Sequence, residues 1–112
     1  MEIAVRKVSD VQVIQLHGAL RIGQAVDDLR GLIEPAVQKG DNRIVLNLED
    51  VRMIDSSGIG LLVRFLALTK EKGGSLKLVR PSKFAIQTLR LVCVHHLFEI
   101  FEDDDQAVQS FS

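Results

Sequence analysis

Hydrophobic positions change period several times along this chain, and each change marks an element boundary. Ile3 to Val8 and Val11 to His17 are rich in β-branched residues and are separated by Ser9-Asp10, the pattern of a strand hairpin. In the second segment Val11 and Val13 point one way while Ile14 and Leu16 point the other, so both faces are apolar, as in a strand covered on both sides. Gly18 to Gly23 reads as a connection. From Gln24 to Lys39 the spacing becomes helical: Ala25, Val26, Leu29, Leu32, Ile33, Ala36 and Val37 share one face, and Asp27, Asp28, Arg30, Glu34 and Gln38 the other. Pro35 removes a backbone donor inside this pattern and predicts a kink or a break. Lys39-Gly40-Asp41-Asn42 is a stop-and-turn signal.

Arg43 to Leu48 is the most apolar strand candidate and belongs at the centre of a sheet. The most apolar helix candidate, Gly58 to Lys72, follows it. There Ile59, Leu62, Val63 and Leu66 form a stripe at i, i+3, i+4 and i+7, which faces the sheet. Gly60, Arg64, Ala67 and Glu71 form the small-or-polar stripe. Leu61, Phe65 and Leu68 make a further apolar line on the flank. Neighbouring helices could bury this line. The other reading is a partner-binding edge, because contiguous exposed apolar surface marks interfaces, and on it Leu61 and Phe65 matter more for binding than for folding. Gly73-Gly74 ends the helix. Leu76 to Val79 is a strand, Pro81-Ser82 starts a short Ser-capped helix to about Val92, and Leu97 to Phe101 is a last strand. Asp103-Asp104-Asp105 then opens a final short helix, where acidic residues suit the macrodipole. This order predicts a single α/β domain, a mixed β-sheet covered by about four helices.

Composition narrows the function classes. A chain of 112 residues suits one domain, residues 1–112, and 46% hydrophobic residues with only 4% aromatic leave the core to aliphatic packing. Fourteen Lys and Arg against fifteen Asp and Glu give a net charge of −1, without the basic excess of a nucleic-acid module. No Trp or Tyr is present to stack bases. The single cysteine, Cys93, allows neither an intrachain disulfide nor a multi-cysteine metal site, and in Leu91-Val92-Cys93-Val94 it reads as a small buried hydrophobe. His95 and His96 are adjacent, and as neighbours on a strand they would point to opposite faces and make a poor ligand pair, so no metal is expected. There is no phosphate-binding Gly-x-x-x-x-Gly-Lys-Ser/Thr loop and no nucleophile–base–orienter set, so neither an enzyme nor a cofactor is expected. The first residues lack the basic segment and apolar run of a signal peptide, and Arg64 and Lys70 interrupt the longest apolar runs. A cytoplasmic protein without membrane insertion is expected.

The distinctive chemistry lies at the joint between the most apolar strand and the most apolar helix, in Asp55-Ser56-Ser57-Gly58-Ile59-Gly60. Either serine could cap the helix, which leaves the other facing solvent. Gly58 and Gly60 keep the first turn slim, so that another backbone could approach. This string, preceded by an apolar strand and followed by an apolar helix, resembles the signature of the STAS domain, a family that includes the bacterial anti-sigma factor antagonists. The similarity runs over almost the whole chain and implies the same order of strands and helices.

In the antagonist branch the serine directly after the Asp is phosphorylated by a partner kinase that is also the anti-sigma factor. Carried over, the resemblance implies Ser56 as acceptor, Ser57 as the neighbouring structural cap, and Asp55 either as a strand-ending cap or as an orienter of the hydroxyl. It also implies a GHKL-type serine kinase as partner and a phosphatase that resets the switch. The alternative is a STAS subunit of a lipid-transport system or a signalling scaffold. One departure stands out: many family antagonists carry acidic residues before the first helix, where this chain has Gly18-Ala19-Leu20-Arg21-Ile22-Gly23.

Overall fold

The turn at Ser9-Asp10 closes the hairpin with two residues, Ser9 taking the positive φ of 56° that such tight turns use. It joins β1 (Glu2–Val8) to β2 (Val11–Leu20) in the computed structural model, which describes residues 1–111. There follow α1 (Gln24–Gln38), β3 (Arg43–Ile54), α2 (Ser56–Glu71), β4 (Ser75–Val79) and α3 (Lys83–Leu91). A 3-10 turn (His95–Leu97), β5 (Ile100–Phe101) and α4 (Asp104–Gln109) complete the described chain. The strands lie in the order β1-β2-β3-β4-β5; β1 is antiparallel to β2 and every other pair is parallel. The expected mixed sheet is therefore present, with β3 at its centre and Ile44, Val45, Leu46 and Leu48 fully buried.

Strand alternation divides the core in two. Ile14, Leu16, Ile44, Leu46, Leu76 and Leu78 face α1, α2 and α3 in the larger cluster. Val11, Val13, Val45 and Val79 face the opposite side, where Ala107 of α4 packs on them. Lys77 shares that second side and is buried. Its ammonium donates to the Ser110 hydroxyl at 2.7 Å and carbonyl at 3.2 Å, pairs with Glu99 at 3.3 Å, and lies 4.3 Å from the Phe111 ring centre. Such a cation keeps its partners while its stem fills apolar space.

Several expectations need correction. Both central strands run further than their apolar runs: β2 continues through Gly18 to Leu20 and β3 through Glu49 to Ile54, pairing with each other across two register shifts. Acidic and glycine residues hide this extension from pattern reading, because backbone pairing tolerates them at the strand end. The helix α1 is unbroken at Pro35, which stands exposed in its last turn; the carbonyl it leaves unpaired belongs to exposed Gly31, where water can serve. The flank of α2 is core, not surface. Leu61 is 2% exposed and Phe65 0%, in one cluster with Val26, Leu29 and Ile33 of α1, so neither offers itself to a partner as an exposed edge. Cys93 is exposed rather than buried, because it follows α3 in a left-handed turn (φ 60°). His95 and His96 lie on the exposed 3-10 turn and not on a strand; β5 is only Ile100–Phe101.

Candidate functional site

Because β2 and β3 are parallel and long, their ends bring residues 20–23 beside the start of α2. Asp55 holds that joint together. Its backbone is extended (φ −92°, ψ −178°), as a helix cap requires, and its Oδ1 accepts from the Gly58 N–H at 2.9 Å. Its Oδ2 accepts from the Ile22 N–H at 2.9 Å, and its own N–H donates to the Leu20 carbonyl at 3.2 Å. One carboxylate thus caps α2 and ties down the connection from β2 to α1. Partial burial alone would raise the Asp55 carboxyl. The N–H groups of Ile22, Gly58 and Ser57, with the charge of Arg21, outweigh it and hold the group below its ordinary value of 3.8. The side chain is anionic at neutral pH.

The two serines take different positions. Asp55 is the cap, so the structural role expected of Ser57 falls to the aspartate. Ser56 is the first residue of α2 and is exposed; Ser57 is half-buried. Gly58 and Gly60, paired in the sequence reading, also separate. A Cβ on Gly58 would lie 2.6 Å from the Leu20 carbonyl oxygen, so this glycine is required by the chain's own packing. A Cβ on Gly60 would meet nothing within 4 Å, and the residue is exposed. Of the two, Gly60 is the one whose smallness leaves room for another molecule.

Beside Ser57 a shallow groove of about 400 Å³ runs between the starts of α1 and α2, lined by Ile22, Gly23, Ser57, Gly60, Leu61 and Arg64 among others. Leu61 contributes only floor. The prominent apolar residue is Ile22, 77% exposed in a connection otherwise read as a plain loop. The sequence did carry a signal for it, a lone β-branched residue between Arg21 and Gly23, too short for any periodicity to mark.

A model of the STAS domain family matches residues 2–107. The chain belongs to the STAS domain family. Among curated relatives, the anti-sigma-B factor antagonist of Bacillus subtilis (strain 168) is 31% identical over 101 residues, covering 90% of each chain. Among solved structures, the Thermotoga maritima protein TM1081 superposes with a TM-score of 0.90 at 25% identity, covering 97% of this chain and 93% of that one. The anti-sigma factor antagonist SpoIIAA in its unphosphorylated form gives 0.77 at 25% identity, covering 97% and 96%, and the Bacillus SpoIIAA in its phosphorylated form gives 0.79 at 23%, covering 99% and 100%. The expected resemblance to the STAS domain is borne out by the family match. In this STAS domain no group of three or more His, Cys, Asp or Glu among the described residues is placed to hold a metal ion. Among them, too, no helix is long and apolar enough to cross a membrane.

Proposed function

We propose that this STAS domain is an anti-sigma factor antagonist, a cytoplasmic binding module that is not itself an enzyme, and that Ser56 is its phosphoacceptor. The observation that carries the reading is the division of labour at the start of α2: Asp55 supplies the cap, and Ser56 stands exposed one residue later. The names of the relatives point the same way. The partner is an anti-sigma factor that is also a GHKL-type serine kinase; it brings ATP and the base, since both Asp55 oxygens are engaged by backbone N–H groups. Unphosphorylated, the domain sequesters the kinase and frees a sigma factor; phosphorylated, it releases the kinase until a phosphatase resets it.

Electrostatics supports a switch in binding with the fold retained. A phosphoserine adds roughly −1.5 to −2 charges, which a helix N-terminus favours by about 0.3–1 kcal/mol when exposed. Repulsion from Asp55 at ~6 Å is roughly 2.8 kcal/mol per unit charge at an effective dielectric near 20, and solvent and salt reduce it. An interface closing over the phosphate strips away that screening and leaves the charge unpaired, a loss on the order of 2–5 kcal/mol, or roughly 30- to 5,000-fold in affinity. Titration of both forms with the kinase tests this. The expected result is a large affinity loss on phosphorylation with the melting temperature nearly unchanged; equal affinities would overturn it.

A further inference from the structure

β1 is the outermost strand, and among the described residues no strand lies beyond it. Its two-residue turn makes Val8 and Val11 a hydrogen-bonded pair, so alternation sends the backbone groups of Arg6, Ala4 and Glu2 into β2. Ile3, Val5 and Lys7 therefore present theirs to the open edge. Val5 lies opposite Ile14, on the side of the sheet that the helices cover, yet it is 48% exposed because they stop short of this edge.

We propose that this edge pairs antiparallel with β1 of a second copy, about a twofold axis at Ala4. Strands pairing in one sheet keep side chains on matching faces, so only registers that place odd residues against odd, and even against even, are allowed. Centring on Arg6 sets like charges against each other. Centring on Val5 puts Lys7 against Ile3 and Arg6 against Ala4, and centring on Ile3 puts Glu2 against Ala4; neither pairs opposite charges. Centring on Ala4 sets Glu2 against Arg6 twice and Ile3 against Val5 twice, the latter through the outward-facing backbone groups. The exposed Val5 is then covered by Ile3 of the second copy. Arg6 already pairs with Asp104 at 3.0 Å, and its guanidinium, with five N–H donors, can donate to a second carboxylate as well. The edge is thus self-complementary in charge, apolar contact and hydrogen-bond phase, as a twofold interface requires. A contact this small makes a weak dimer whose population rises with concentration.

The proposal is independent of the role assigned to Ser56, and cross-linking tests its register. In a Cys93→Ser background, Ala4→Cys should form an intermolecular disulfide readily, since facing Cα atoms of a non-hydrogen-bonded pair lie ~4.5 Å apart, within the disulfide range. Ser9→Cys, at the hairpin tip, should not. In sedimentation experiments Val5→Pro, which deletes an outward donor but suits an edge strand, should stay monomeric where the parent associates. Glu2→Arg, a surface change that leaves folding intact, should weaken association about tenfold. A parent that remains monomeric at millimolar concentration overturns the proposal, as does a dimer that neither Val5→Pro nor Glu2→Arg weakens.

Discussion

Helices α2 and α3 each start where a parallel strand ends, and each start has an oxygen side chain, a serine and a buried third position, but the parts are assigned differently. At α3 the serine is the cap: Ser82 Oγ accepts from the Ala85 N–H at 3.1 Å. At α2 the cap is Asp55, and Ser56 follows it with an exposed side chain. The third position is Ala85 in one, fully buried, and Gly58 in the other, pressed beneath the Leu20 carbonyl. Beyond the first turn α3 buries only Leu89, whereas α2 buries Ile59, Leu61, Leu62, Phe65, Leu66 and Thr69. A serine that caps is consumed by the fold; a serine placed one residue after an aspartate cap is left over. The rigid, deeply seated helix is the one that displays the spare hydroxyl.

The contrast breaks most visibly in the helix bodies. Phe65→Ala should cost about 3–5 kcal/mol of stability, the range for truncating a buried phenylalanine, while Phe84→Ala on exposed α3 costs less than about 1. Urea midpoints at constant slope measure both, and equal losses would remove the distinction. At the third position, Gly58→Ala should destabilise by about 1–3 kcal/mol, because its methyl group meets backbone. Ala85→Gly should cost about 1, chiefly in helix propensity. The caps come next: Ser82→Ala should lose about 1 kcal/mol and Ser56→Ala less than about 0.5, read from thermal midpoints.

The smallest effect sharpens the role of Asp55. Its carboxyl titrates lower in the folded chain than its ordinary 3.8, so its contribution is complete above that value and is lost as pH falls through the lower, folded value. The stability gap between the parent and Asp55→Asn should therefore be constant above pH 4 to 5 and should narrow below about pH 3.8. A gap that widens on acidification contradicts the capping role.

How much of this was legible beforehand follows from which forces dominate. Strands and helices with long apolar periodicity, such as Ile44 to Leu48 and Ile59 to Leu66, were readable because burial dictates them. The ends of β2 and β3 were not, since Gly18 and Asp50 are held there by pairing between strands distant in sequence. The burial of Leu61 and Phe65 depends on α1 packing against α2, a tertiary fact that one helix's pattern left open. Leu91-Val92-Cys93-Val94 misled because an apolar run suggests burial. Here Leu91 is 83% exposed, and the turn after α3 takes its left-handed residue at Cys93 without the glycine that would announce it. At the site the motif identified the joint and the acceptor candidate, while the tie from Asp55 to Ile22, across residues 33 apart, needed the fold.

The central claim is that Ser56 is the phosphate acceptor: Asp55 has taken over the cap, and of the two serines after it Ser56 is the exposed one and Ser57 the half-buried one. Incubation of the domain with its cognate kinase and ATP, followed by site-resolving mass spectrometry, tests it most directly. The account predicts one phosphate, on Ser56, and none on Ser57 or Ser82, with labelling abolished in Ser56→Ala. Phosphate on Ser57, or undiminished labelling of Ser56→Ala, would contradict it.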